Sequence, residues 1–385
     1  MHRDNSNHVR CSVCRRTILV GAGAALTSLA GCLGDDPDDN GDPDDDGNGN
    51  GNGDPHGFGE FDPDNANDTL PQTMQTLLEH DFQFGRIEDL DLYEPRDEPV
   101  YGNPPQEHPG DDSDDIIDPD PLVFALTPTE DPAHYADMLD PILDNIAAET
   151  GREVENFAVD SYAAQVEAMR AERLHIMGVS TGPTPFAVNL AGAVPFCIQV
   201  GEEAFGYRLW AITHIDEEDI NSVEDFAGRS GAHGDPSSNS GNLMPRAMMP
   251  EQFGITPGED YTVEHVGSHE NVILAIYHKD HEVAPVCSTC VSRVAERGDI
   301  DANNIKVVWA SDPIVTTAFS YRYNLPSDVI EGIRTALLDY DYLDTEFAAE
   351  FEGRGLFAEI DYATHWHDIL VTHQDNEIEY ELDQI

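Results

Sequence analysis

The stretch "PLVFALTPTEDPAHYADMLDPILDNIAAETGREVENFAVDSYAAQVEAMRAERLHIMGVS", residues 121–180, decides the fold. Its first eight residues form a short apolar run ending in a turn, the mark of a buried strand. Tyr135, Leu139, Ile142, Leu143 and Ile146 then recur at helical intervals up to Gly151, a helix stop. Pro141 inside that pattern predicts a kink. "VENFAVD" reads as a second strand, "SYAAQVEAMRAER" as a helix capped by Ser161, and "LHIMGVS" as a third strand. "TGPTPFAVNLAG" adds a helix with proline in its first turn. Such alternation implies parallel strands joined by helical crossovers. Ligands in such sheets sit at the carboxyl ends of the strands, which draws 127–130, 160–162 and 180–182 to one mouth.

Downstream the pattern restarts. "YRLWAITH" (207–214) is a strand, and 216–315 repeats strand and helix as a second α/β unit. "TAFSYRYNLPSDVIEGIRTALLDYD" then gives a strand and a long amphipathic helix that return to the first unit. The expected organisation is one lobe from 121–215 with 316–385 and a second from 216–315. Two strand crossovers, near Thr213 and Ser320, would act as a hinge over a cleft.

Acidic residues outnumber Lys and Arg by 76 to 19, for a net charge of −57, and only Lys279 and Lys306 are lysines. Phosphate backbones repel such a surface, so nucleic acid is excluded as a partner. Recurrent apolar segments after 121 argue against a disordered chain. The acidity fits a protein working in concentrated salt, where repulsion is screened to about 3 Å at 1 M.

Residues 1–32 carry paired Arg15 and Arg16, then an apolar run from Thr17 to Ala30 too short to span a membrane. This suggests a twin-arginine export signal. "LAGC", Leu29–Cys32, resembles a lipobox, which implies a lipid on Cys32 and a protein held at the outer face of the cell membrane. Residues 33–57, rich in Asp, Gly and Asn, read as an acidic tether. Residues 58–120 are rich in Pro and Asp, with "LPQTMQTLLEH" as one short helix and no evident role. The pairs Cys11-x-x-Cys14 and Cys287-x-x-Cys290 mimic a four-cysteine zinc site, but the first pair lies in the leader. The second is open to three readings: a strained disulfide, two buried thiols, or a redox pair.

"LTPTEDP" (126–132), "DSYAAQVEAMRAERLHI" (160–176), "STGPTPFAV" (180–188), "DPSSNSGNLMP" (235–245), "GSHENVILAI" (267–276) and "VVWASDPI" (307–314) stand in register over some 200 residues. From about Leu122 to Leu343 the chain resembles the periplasmic phosphonate-binding proteins of ABC importers, within the broader phosphate, phosphite and phosphonate-binding family. The resemblance implies a two-lobed type II periplasmic-binding-protein fold, each lobe a mixed, mostly parallel sheet flanked by helices. It implies a monomer that closes over a small phosphorus oxyanion and delivers it to permease subunits. No cofactor, metal or catalytic residue is expected.

The site expectations follow. "SSNSGN" opens a helix, and a helix start offers about four unpaired N–H donors and roughly half a positive charge. Ser237, Ser238 and Ser240 add hydroxyls there, and Gly241 admits a close backbone approach. The resemblance adds Thr129, Tyr162, Ser180, Thr181 and His269. Family members that bind aminophosphonates place a carboxylate near Ser288 or Thr289; this chain has "VCSTC" there, which weakens amine recognition. The alternatives are a ligand-sensing ectodomain for a signalling partner, or a secreted phosphoester hydrolase. No Gly-x-Ser-x-Gly elbow supports the hydrolase.

Overall fold

The computed structural model describes residues 56–385. The expected export signal, Cys11, Cys14, the lipid acceptor Cys32 and nearly all of the tether lie outside the described residues.

Two mixed sheets organise the chain. The eight-stranded sheet runs Gly85–Arg86, Ala204–Phe205, Ala193–Val200, Ala318–Arg322, Ile176–Val179, Leu122–Leu126 and Val154–Asn156, with Leu356–Glu359 also paired to Ala193–Val200. The six-stranded sheet runs Gln72–Thr73, Ile305–Ala310, Leu209–His214, Val283–Cys287, Ser230–His233 and Thr262–His265. Parallel pairing surrounds Leu122–Leu126 in one and Ser230–His233 in the other. The strands on which the chain enters and leaves a sheet, Leu209–His214 and Ala318–Arg322, run antiparallel to their neighbours. The sheets are therefore less parallel than strand–helix alternation implies.

Local sequence explains the helices that frame the site. Pro141 stands in the first turn of the helix Asp140–Thr150 rather than kinking it, a position that needs no N–H. Gly151 ends that helix in the left-handed region at φ 68°. Ser161 caps Tyr162–Arg170 by accepting the Ala164 N–H. One face of Asp140–Thr150 buries Ile142, Leu143 and Ile146 against the helix Ser327–Leu338 and the sheet.

The chain changes sheets earlier than expected. Leu209–His214 already belongs to the six-stranded sheet, so Thr213 is paired within that strand, and Ser320 lies in the middle of a strand of the other sheet. The crossings lie near Gly206–Arg208 and Ser311–Thr317 and hydrogen-bond to each other, Tyr207 N–H to Ile314 O at 3.0 Å and Ile314 N–H to Tyr207 O at 2.7 Å. Gly206 sits at φ 65°, and a Cβ there would stand 2.1 Å from Ile314 O.

Residues 58–93 are part of this body. Phe61, Met74, Leu77 and Phe82 are buried. Gln72–Thr73 pairs with Ile305–Ala310, and Gly85–Arg86 pairs with Ala204–Phe205, so one segment touches both sheets beside the crossings.

Candidate functional site

Between the sheets lies a cavity of about 50 Å³. One wall is the turn Ser238–Ser240. Ser238 caps a single π turn, Asn239–Leu243, that runs into the helix Met244–Phe253. The π turn widens the helix start and brings Ser238, Asn239 and Ser240 to the cavity together. Opposite stand Thr127, Thr129, Ser180, Thr181 and Gly182, from loops that follow two parallel strands. The halves meet closely: a Cβ on Gly182 would stand 2.1 Å from Ser237 O.

His269, in the first turn of the helix His269–Tyr277, is tied at both ring nitrogens. Nδ1 accepts the Cys287 N–H at 3.4 Å, which leaves the proton on Nε2, 3.0 Å from Ser238 Oγ. Ser238 Oγ also accepts the Gly241 N–H at 3.2 Å. With two donors aimed at it, the Ser238 hydroxyl is left to donate its own proton toward the cavity. Gly241 supports this arrangement, since a Cβ would stand 2.9 Å from Ser238 Oγ. Burial pulls the His269 pKa down to about 4, so the ring is a neutral relay.

The other expected positions divide. Thr129, Ser180, Thr181, Ser238, Ser240 and His269 line the cavity. The Thr181 hydroxyl is taken by Val315 O at 3.0 Å. Ser237 turns away, its Oγ donating to Asp235 at 2.7 Å. Tyr162 stands behind the wall: it is buried, and its phenol oxygen accepts from Ser180 Oγ at 3.4 Å. The tyrosines at the cavity are Tyr135 and Tyr207 instead. Two wall atoms, Thr127 Oγ1 and Asn239 Oδ1, are buried without a hydrogen-bond partner.

Sequence reasoning missed the charges. Arg293 and Arg354, both buried, line the cavity. Arg293 holds Glu130 through Nη2 at 2.6 Å and Nε at 3.1 Å, and Arg297 reaches the same carboxylate at 3.1 Å. Burial alone pushes the Glu130 carboxyl up; the two guanidiniums outweigh it and hold it below the usual range. Glu130 follows a strand of the eight-stranded sheet, whereas both arginines lie on or at the end of the helix Ser288–Glu296 behind the six-stranded one. This ion pair therefore crosses between the halves. Cys290, Arg293 and Arg297 recur at i, i+3 and i+7, and that shared face was the available signal. Arg354 is held by Glu352 at 2.7 Å and by Phe351 O at 3.0 Å. No Asp or Glu lines the cavity among the described residues.

Residues 124–366 match the family described as ABC transporter, phosphonate, periplasmic substrate-binding protein. The phosphate-import protein PhnD of Mycolicibacterium smegmatis is 28% identical over 229 residues, covering 56% of this chain and 71% of that protein. The phosphonates-binding periplasmic protein of Escherichia coli is 23% identical over 225 residues, covering 57% of this chain and 66% of its own. Among solved structures, a binding protein component of an ABC phosphonate transporter from Pseudomonas aeruginosa superposes with a TM-score of 0.59 at 23% identity, covering 69% of this chain and 88% of that one. PhnD1 of Prochlorococcus marinus, solved with methylphosphonate, gives 0.56 at 14% identity, covering 66% and 98%. The match over more than half of its length, on a two-sheet α/β body, means that this chain belongs to the periplasmic phosphonate substrate-binding family of ABC transporters.

Proposed function

We propose that the protein captures a small phosphorus oxyanion — phosphate, phosphite or methylphosphonate — between its two sheets and hands it to a permease. The observation that carries this is the Ser238–Ser240 helix start, with the Ser238 hydroxyl freed by His269 and Gly241 and one unpaired polar atom in each facing wall, Asn239 Oδ1 and Thr127 Oγ1. Such a start binds anions through N–H groups and the helix dipole. The small volume and the lack of a lining carboxylate disfavour an aminoalkyl substituent.

The crossings at 206–208 and 311–317 are the hinge in this reading, and ligand closes it. Cys32 carries the lipid anchor, the acidic residues suit concentrated salt, and the protein acts as an extracytoplasmic monomer. Among the described residues no helix is long and apolar enough to cross a membrane.

Calorimetry in high salt tests the reading. Phosphate, phosphite or methylphosphonate should bind well below millimolar, and 2-aminoethylphosphonate at least about 10-fold more weakly, one unmatched buried polar contact. Failure of all three small anions at millimolar concentration refutes it.

A further inference from the structure

The thiols of Cys287-x-x-Cys290 take no part in the anion-binding reading, yet both residues line the cavity. Cys287 ends the strand Val283–Cys287 and stands immediately before the helix Ser288–Glu296. Its sulfur occupies the place of a cap oxygen, accepting the Cys290 N–H at 3.3 Å, and lies 3.2 Å from Thr289 Oγ1. Cys290 Sγ accepts from Arg293 Nη2 at 3.5 Å. Positions three apart at a helix start bring two sulfurs within reach of one bond. Both thiols are free in this structure.

Their surroundings differ in the way a redox pair needs. Burial pushes the Cys287 thiol up, but the Cys290 thiol and the Arg293 guanidinium outweigh it and hold it below its usual range. Burial pushes the Cys290 thiol well up. Cys287 is also the less buried of the two, at 7% against 1% exposure. The pair connects directly to the anion cradle: the Cys287 N–H holds His269 Nδ1, and His269 Nε2–H holds Ser238 Oγ. Members of this family work outside the reducing cytoplasm, where disulfides persist.

We infer that Cys287 and Cys290 form a reversible dithiol–disulfide couple in the cavity wall, whose oxidation disengages the Cys287–His269–Ser238 relay and weakens anion capture. The effect on the anion rests on the reading above; the redox step does not. The oxidant is a small disulfide. Cys287 thiolate attacks one of its sulfurs, forming a mixed disulfide and expelling one thiolate. Cys290 then loses its proton and attacks Cys287 Sγ, expelling the second thiolate. Two protein thiols and one small disulfide become one protein disulfide and two small thiols. Cys287 Sγ, drawn into the new bond, gives up its contact with Thr289, and its backbone no longer fixes His269. Bound anion closes the cavity over both sulfurs and protects them.

The full-length protein, reduced and kept in high salt, is treated with hydroxyethyl disulfide with and without phosphate, then alkylated and digested with trypsin. The peptide 280–293 contains both cysteines. It should lose two hydrogens and escape alkylation, while Cys197 stays a thiol. Phosphate should slow this, and the oxidised protein should bind phosphate at least about 10-fold more weakly, the loss of one hydrogen bond to charge, with recovery in dithiothreitol. Cys290→Ser should trap the mixed disulfide on Cys287. Full alkylation of both cysteines in ligand-free protein overturns the couple, and a disulfide that leaves phosphate affinity unchanged overturns the control of capture. If reduced protein binds none of the small anions, the binding reading fails, and the peptide mass still decides the couple.

Discussion

Replacing Glu130 with Gln removes one charge and almost no volume. Glu130 is buried, receives two bonds from Arg293 Nη2 and Nε and one from Arg297 Nη1, and also accepts from the Tyr135 hydroxyl. Gln keeps an acceptor oxygen, so the loss is chiefly the partner of two cations in a dry site. The remaining acid facing Arg293, Glu352, stands 3.9 Å away. Breaking a buried pair by removing one partner costs about 3–5 kcal/mol. With a urea slope near 3 kcal/mol/M the midpoint falls by about 1–2 M. Urea is the right denaturant because it adds no ions, and salt screens this pair little. A cycle with Arg293→Met should show strong coupling, the double variant losing less than the sum. In the folded protein, phosphate affinity should rise, because Arg293 at the cavity then keeps only the more distant Glu352 as a counter-charge. A loss below about 1 kcal/mol, the yield of an exposed pair, or additive single effects, would refute a buried bridge between the halves.

Two further outcomes follow from the cavity. Ser238→Ala and Tyr207→Phe should each weaken phosphate binding about 10- to 100-fold by calorimetry, at about 1.5–3 kcal/mol per bond to charge; Tyr162→Phe, which stands behind Ser180, should change it less than about 3-fold. Acid should destabilise the fold from about pH 6.5 downward, read by urea midpoints at fixed salt. Burial pulls His269 to about 4 and His233 and His373 to about 3, so the unfolded chain takes up protons first as pH falls. The stability is fully present above 6.5 and lost between 6.5 and the folded values, on the order of 3 kcal/mol for His269 alone at about 1.4 per unit. A histidine variant such as His269→Asn should flatten its share of that slope, and anion affinity should not fall between pH 6.5 and 8 through this ring.

Periodicity made much of the body legible, and short contacts hid the rest. Leu122–Leu126 and Ile176–Val179 are legible as short apolar runs because they are buried or nearly so along their length, and the helix Tyr162–Arg170 because one face of it is buried. In the segment 58–93 the short helix read in 70–80 is present as Met74–Glu79, but the segment's place in both sheets escaped because it contributes only two residues to each, too few for any period. The crossings were misplaced because Leu209–His214 is buried throughout, and an apolar run says nothing about which sheet it joins. At the site, Ser238 and Ser240 were legible as a hydroxyl-rich helix start. The exchange of Tyr162 for Tyr207 was not: which phenol reaches the cavity depends on the loop at 206–208, fixed by long-range pairing with Ile314. Glu130 was drawn to the correct mouth by strand direction, but its partners come from a helix more than 160 residues away.

An anion site in a chain of net charge −57 raises a problem of sign. The long-range field repels phosphate, and the arginines near the cavity do not reverse it: buried Arg293 and Arg354 and half-buried Arg297 meet Glu130, Glu270, Glu350 and Glu352 in one network. What remains to hold the anion is short in range: backbone N–H groups and hydroxyls, one of them oriented by a neutral His269. Salt should therefore act in the opposite sense to its action at a cation-lined pocket. Screening shortens the repulsive field from about 10 Å at 0.1 M to about 3 Å at 1 M, while contacts inside a closed cavity are little affected. Phosphate affinity should rise with potassium chloride across this range and level off once the surface field is screened. Calorimetry over a salt series, with the folded fraction followed by circular dichroism at each point, measures it. An affinity that falls steadily with salt in fully folded protein would mean that unpaired cations, not neutral donors, hold the ligand.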